Sequence, residues 1–178
     1  EIQINQADEY GRTSFYITCQ NGQVDVVRLL LARDEIQINQ ASNSGYTPLW
    51  RASENGHADV VRLLLVRDEI KINQAAKGGA TPLYVTCFHG HVDVVRLLLD
   101  QKEIQINQAD GEGTTPINIA SFNGYTNIVQ LLLEQPNINI GKMDDYGDTP
   151  LISATRKGHV EIVAFLEAFL ENKKNQLQ

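Results

Sequence analysis

The stretch Gly45-Tyr46-Thr47-Pro48-Leu49-Trp50-Arg51-Ala52-Ser53-Glu54-Asn55-Gly56-His57-Ala58-Asp59-Val60-Val61-Arg62-Leu63-Leu64-Leu65-Val66 carries the punctuation of two short helices. Threonine before proline is a helix start. Its hydroxyl can accept a hydrogen bond from a free backbone N–H, and proline fits the first helical position, where a missing N–H costs nothing. A helix over about 48–54 is therefore expected, stopping at Asn55-Gly56, where glycine can enter the left-handed region. A second helix over about 58–66 would bury Val61, Leu64 and Leu65 at positions i, i+3 and i+4. Asp59 and Arg62 fall on its outer side, spaced for a weak pair, as do Asp25 with Arg28 and Asp93 with Arg96. Past that helix, Ile70-Lys71-Ile72-Asn73 alternates and then meets glycine, the pattern of an extended arm and a hairpin-like connection.

The same text recurs along the chain. Gly11, Gly45, Gly79, Gly113 and Gly147 step by 34 residues, and so do Gly22, Gly56, Gly90, Gly124 and Gly158. Thr47-Pro48 returns as Thr81-Pro82, Thr115-Pro116 and Thr149-Pro150, while the first copy, Thr13-Ser14, lacks the proline. Val60 to Leu65 returns at Val26 to Leu31 and Val94 to Leu99, and more loosely at Ile128 to Leu133 and Ile162 to Leu166. A unit this small cannot bury its apolar faces alone, so stacked copies must share one core.

These residues resemble the ankyrin repeat, and the resemblance covers nearly all 178 residues in five copies. It implies an all-α repeat solenoid of stacked helix-turn-helix units with hairpin-like loops. The chain is then one domain, 1–178, with residues 1–7 the tail of a preceding repeat and copies at about 8–41, 42–75, 76–109, 110–143 and 144–178. Two departures stand out. The period is 34 where the family uses 33, the extra residue falling in segments such as Arg33-Asp34-Glu35, so the second helix must exit by a different turn. The family's histidine after T-P-L is replaced by Tyr16, Trp50, Tyr84, Asn118 and Ile152, and its hydrogen bond must be lost or remade. At the ends, Glu1-Ile2-Gln3-Ile4-Asn5 matches Glu103-Ile104-Gln105-Ile106-Asn107, as if the chain opened inside a longer array. The last helix runs into a polar tail, Glu171 to Gln178, suited to capping a solenoid.

Composition limits the function classes. The formal charge of -7 disfavours nucleic acid as a partner. No run of about 18 apolar residues offers a membrane insertion, and Glu1 to Gln6 has no secretory pattern. A cytoplasmic or nuclear monomer is the expectation. Stacking at helix spacing puts Cys19 and Cys87, two periods apart, on the order of 20 Å from each other, too far for a disulfide, which needs Cα atoms within roughly 7 Å. Ser53, Ser121 and Thr155 share their slot, which reads as a small packing position. His57, His91 and His159 occupy a slot beside the second glycine, read as a local helix-start role; His89 beside His91 lacks the carboxylate or thiol a metal site wants. Phosphate-loop, nucleophile-elbow and metalloprotease motifs are absent, so neither catalysis nor a cofactor is expected.

Comparing the copies separates scaffold from variable positions. The second helix barely changes, whereas the loop tips and the ends of the first helices do. In the family those slots face one concave groove, which makes Tyr10, Arg12, Tyr46, Lys77, Glu112, Asp145, Tyr146 and Asp148 at the tips candidate partner contacts. Glu54, Phe88, His89, Phe122, Asn123 and Arg156 at the helix ends join them. Tyr46, Phe88 and Phe122 put aromatic rings where other copies carry polar groups, and aromatic anchors dominate interface energetics. Phe88 and Phe122 either meet a partner or pack on each other. With Asp110, Glu112, Asp144, Asp145 and Asp148 at the last two tips, the expected partner is a protein or peptide with a basic stretch beside an apolar anchor. The alternative is a structural spacer within a larger protein, which would have no use for exposed phenylalanines.

Overall fold

The computed structural model describes residues 3–176; Glu1, Ile2, Leu177 and Gln178, the outermost residues of the array tail and polar cap read above, lie outside the described residues. Within it, ten helices alternate in pairs: α1 (Ser14–Gln20), α2 (Val24–Leu31), α3 (Pro48–Glu54), α4 (Ala58–Leu65), α5 (Pro82–His89), α6 (Val92–Leu99), α7 (Pro116–Asn123), α8 (Thr126–Leu133), α9 (Pro150–Lys157) and α10 (Val160–Gln176). Odd-numbered helices pack on odd and even on even, forming two parallel rows joined within each pair.

Every first helix begins as the threonine rule requires. Thr13, Thr47, Thr81, Thr115 and Thr149 sit in extended backbone, and each Oγ1 accepts from the N–H three residues on. Thr13 does this without the following proline, so the hydroxyl alone suffices. The second helices start otherwise. Their caps at Gln23, His57, His91 and Tyr125 make no side-chain capping bond.

One apolar core runs the length of the stack. Leu49 and Leu83 of the first helices are buried, as are Val61, Leu64, Val95, Leu98, Val129 and Leu132 of the second helices. The face expected for α4 needs one change: Val60 is fully buried while Leu65 is only partly so. Val60 faces the preceding repeat. At the start of the stack, where the described residues place no helix in front of α2, its counterpart Val26 is 42% exposed and Leu29 is 71% exposed.

The arms differ from the extended strands that the Ile-Lys-Ile-Asn alternation suggested. After α4 the chain passes Val66 in right-handed backbone, with no glycine, and makes consecutive turns: Arg67 N–H to the Leu64 carbonyl, Ile70 N–H to Arg67 and Gln74 N–H to Lys71. These turns absorb the thirty-fourth residue. Arg67 pairs with Glu69 at 3.1 Å and also donates to the Leu31 carbonyl at the end of α2, as Arg33 pairs with Glu35. The outer-face pairs expected within the second helices do not form; the ion pairs among the described residues are these two, Arg12–Asp8, Arg51–Glu54 and Arg156–Asp148.

Neighbouring arms are laced by asparagines. Asn39 donates to the Glu69 carbonyl and accepts from the Lys71 N–H; Asn5, Asn73 and Asn107 repeat both bonds on the arm that follows each of them. Gly141 occupies the next position, and beyond it α10 replaces an arm.

Candidate functional site

Each junction between hairpin tips carries a main-chain hydrogen bond, and at two of them a side chain adds another, Asn43 Nδ2 donating to the Glu9 carbonyl and the Tyr146 hydroxyl to Glu112. Asn43 N–H bonds to the Tyr10 carbonyl, Lys77 to Ser44, Gly111 to Gly78 and Asp145 to Glu112, at 2.8 to 3.1 Å. One main-chain bond per junction fixes the row whatever side chains it carries, which is a physical reason the tips can vary while the scaffold persists. Asp8, Asp110 and Asp144 tighten their own tips, each Oδ1 accepting from the N–H groups two and four residues on. Asp110 and Asp144, read from sequence as part of an acidic surface, are thus half-buried turn formers. Their position three residues before a tip glycine was the available signal.

The histidine slot holds repeats together rather than capping helices. His57 Nε2 lies 2.9 Å from the Gln20 carbonyl, His91 Nε2 2.8 Å from Glu54 and His159 Nε2 3.0 Å from Phe122, always in the preceding repeat. Each ring also fills the space beside that repeat's glycine. In the one copy with Tyr125 instead, Asn123 Nδ2 takes over and donates to the Phe88 carbonyl at 3.0 Å. Asn123 is therefore committed to the scaffold.

The position after T-P-L remakes its lost bond in two copies. Trp50 Nε1 donates to the Ala80 carbonyl and Asn118 Nδ2 to that of Asp148, both at 2.9 Å. Tyr16 instead accepts from Arg51 Nε at 2.6 Å. Arg51 lies 4.1 Å above the ring of Tyr46, which is tilted against Trp50, and pairs with Glu54 at 2.5 Å. Tyr46 and Glu54 accordingly belong to a self-satisfied cluster on the first three repeats. Tyr10 is exposed at the first tip with Arg12 4.7 Å above its ring. Arg12 in turn bonds Asp8 and holds that carboxyl below the usual range. Lys77 is exposed at its tip.

The last three repeats form a cleft of about 310 Å³ that gathers Phe88, Glu112, Phe122, Tyr146, Asp148 and Arg156, with Tyr84 in its wall. Phe88 is 45% exposed and Phe122 38%. Among the described residues the two rings make no aromatic pair. Phe88 meets His89 edge-on at 4.9 Å, and Lys157 Nζ stands 4.1 Å from the Phe122 ring centre. Asp148 is not an open acid at the tip: it is only 5% exposed and both of its oxygens accept from Arg156, leaving the arginine as the outward group. Asp145 is exposed, and Glu112 accepts from the Tyr146 hydroxyl at 3.3 Å. The Glu112 charge, with Asp144 and Asp145, pushes the Tyr146 hydroxyl up. Burial first, then Asp110 and Glu112, does the same to Tyr84. Tyr84, in the cleft wall, and Lys157, over the Phe122 ring, are not among the partner contacts expected from sequence. Tyr84 sits in a slot that reads as structural, and Lys157 is one long side chain among many on the surface.

Cys19 and Cys87 are free and buried, and desolvation pushes both thiols up, away from nucleophilic use. Among the described residues no three His, Cys, Asp or Glu side chains gather as a metal site would, and no helix is long and apolar enough to cross a membrane.

A family model described as "Ankyrin repeats (3 copies)" matches residues 1–76, 68–144 and 106–176. No curated protein matches the chain.

Proposed function

Because the chain belongs to the ankyrin repeat family, we propose that it is a non-catalytic binding module that takes up a partner protein or peptide along the face built by its tips and first helices. Repeats of this family generally serve protein–protein interaction. The observation that carries the reading for this chain is the pair of phenylalanines. Phe88 and Phe122 stand one repeat apart in a cleft wall, partly exposed and not stacked on each other. Holding two such rings at the surface forgoes about 25 cal/mol for each Å² of apolar area left wet. A partner that covers them recovers that energy, whereas a spacer gains nothing from the exposure.

The test is capture of partners from a lysate by the wild-type chain and by the double variant Phe88→Ala/Phe122→Ala, both checked for helical content and melting temperature. Loss of the captured proteins at an unchanged melting temperature is the expected result. Full capture by the double variant returns the chain to the spacer reading.

A further inference from the structure

The chemistry of the partner can be read from which charges and rings the molecule has already satisfied. Five carboxylates (Asp110, Glu112, Asp144, Asp145 and Asp148) sit at the last two tips, against two cations, Arg156 and Lys157, at the end of α9. Arg156 is spent on Asp148. The surplus is negative, and its field is felt locally, since Glu112, Asp144 and Asp145 all disfavour ionisation of Tyr146.

The rings on this face are mostly covered as well. Three aromatic candidates on this face already carry a cation of the chain itself: Arg12 over Tyr10, Arg51 over Tyr46 and Lys157 over Phe122. Among the described residues Phe88 and Tyr146 carry none; Tyr146 is tied by its hydroxyl to Glu112, while Phe88 has the His89 edge beside it. An uncovered ring, sharing a cleft with Glu112, is the seat for a cation from outside, where ring quadrupole and carboxylate act together. The cleft volume, about 310 Å³, is at the small end of ligand pockets and suits one or two side chains rather than a cofactor.

Resting on the binding reading above, we propose that this cleft receives a peptide segment bearing a lysine or arginine next to an apolar residue, the cation between Phe88 and Glu112 and the apolar side chain toward Phe122. Lys157 competes for the Phe122 face, and an incoming segment displaces it. Binding is then salt-sensitive, because the attracting charges are at the surface.

The experiment is selection of a random peptide library of about 12 residues, a length that spans such a groove, on the immobilised full chain. Peptides held by the Phe88→Ala/Phe122→Ala variant are subtracted. The enriched peptides are expected to carry lysine or arginine beside an apolar residue. Their affinity should fall about tenfold in Glu112→Gln, the equivalent of about 1.4 kcal/mol, and further in Glu112→Lys. It should rise in Lys157→Ala and fall steeply between about 0.05 M and about 0.5 M salt. Glu112 holds the tip through its main chain, its N–H donating to Asp110 Oδ1 and its carbonyl accepting from Asp145, while its carboxylate meets the exposed Tyr146 hydroxyl at 3.3 Å, so these variants keep the main-chain bonds of the tip intact. Peptides that need the phenylalanines yet are acidic or uncharged overturn the cation seat and leave the binding face standing. If no peptide distinguishes the chain from its double variant, the binding face falls, and the cation seat with it.

Discussion

A methyl group built on Gly56 would come within 2.6 Å of His91 Nδ1, and the glycine's φ of +70° already excludes most side chains. The imidazole of one repeat occupies the hole left by the glycine of the repeat before it and reaches the Glu54 carbonyl from there. Gly56→Ala should therefore cost about 1–3 kcal/mol through backbone strain and displacement of the ring, read as a fall in the denaturant midpoint; an unchanged midpoint would mean the ring is not seated there. The two thiols make an independent check on burial. Cys19 and Cys87 should resist a thiol reagent in the native protein and react only once it is unfolded. The step of 34 in both glycine and histidine is plain in the sequence, but their contact is not. Periodicity aligns the copies without saying which copy touches which, so the histidines read as local when they act across a junction. Asp148 shows a similar limit: an acid at a tip looks solvated until Arg156, eight residues on, is seen to fold back over it.

Helix boundaries were legible because Thr, Pro and Gly act through local backbone chemistry, and α3 occupies the span those residues dictate. The arms were not. Isoleucines two apart look like a strand, yet Ile72 is buried because the core continues beneath the arm, and the backbone groups there bond in tight turns and to asparagine rather than to another strand. Burial within equivalent helices also depends on place in the stack. Leu64→Ala in α4 should lose about 2–5 kcal/mol, the cost of a fully buried truncation. Leu29→Ala in α2, at a site largely open to water, should stay within about 0.5 kcal/mol. Thermal denaturation of the two variants side by side decides it, and similar losses would contradict the open face of α2.

Across the whole molecule, stability is a sum of repeats and the junctions between them. The arm asparagines belong to the junctions: Asn73 bonds the Glu103 carbonyl and the Gln105 N–H. Asn73→Ala should remove about 1–3 kcal/mol, two modest hydrogen bonds, and broaden the denaturant transition as the two halves uncouple; a sharp transition at the original midpoint would show the bonds are dispensable. The cleft proposed for binding was only half legible at this scale. Its phenylalanines stood out as apolar residues in polar slots, but its remaining charge appears only after each internal pairing has been subtracted. The lacing has a mechanical side as well. Drawn apart by its two ends, the chain spreads tension over four amide rungs, from Asn5 to Asn107, and the fifth repeat hangs beyond the last of them. The stack should yield at that end first, shedding α9 and α10 at low force while the laced repeats stay whole, so that a modest pull dismantles the cleft before it breaks the rod.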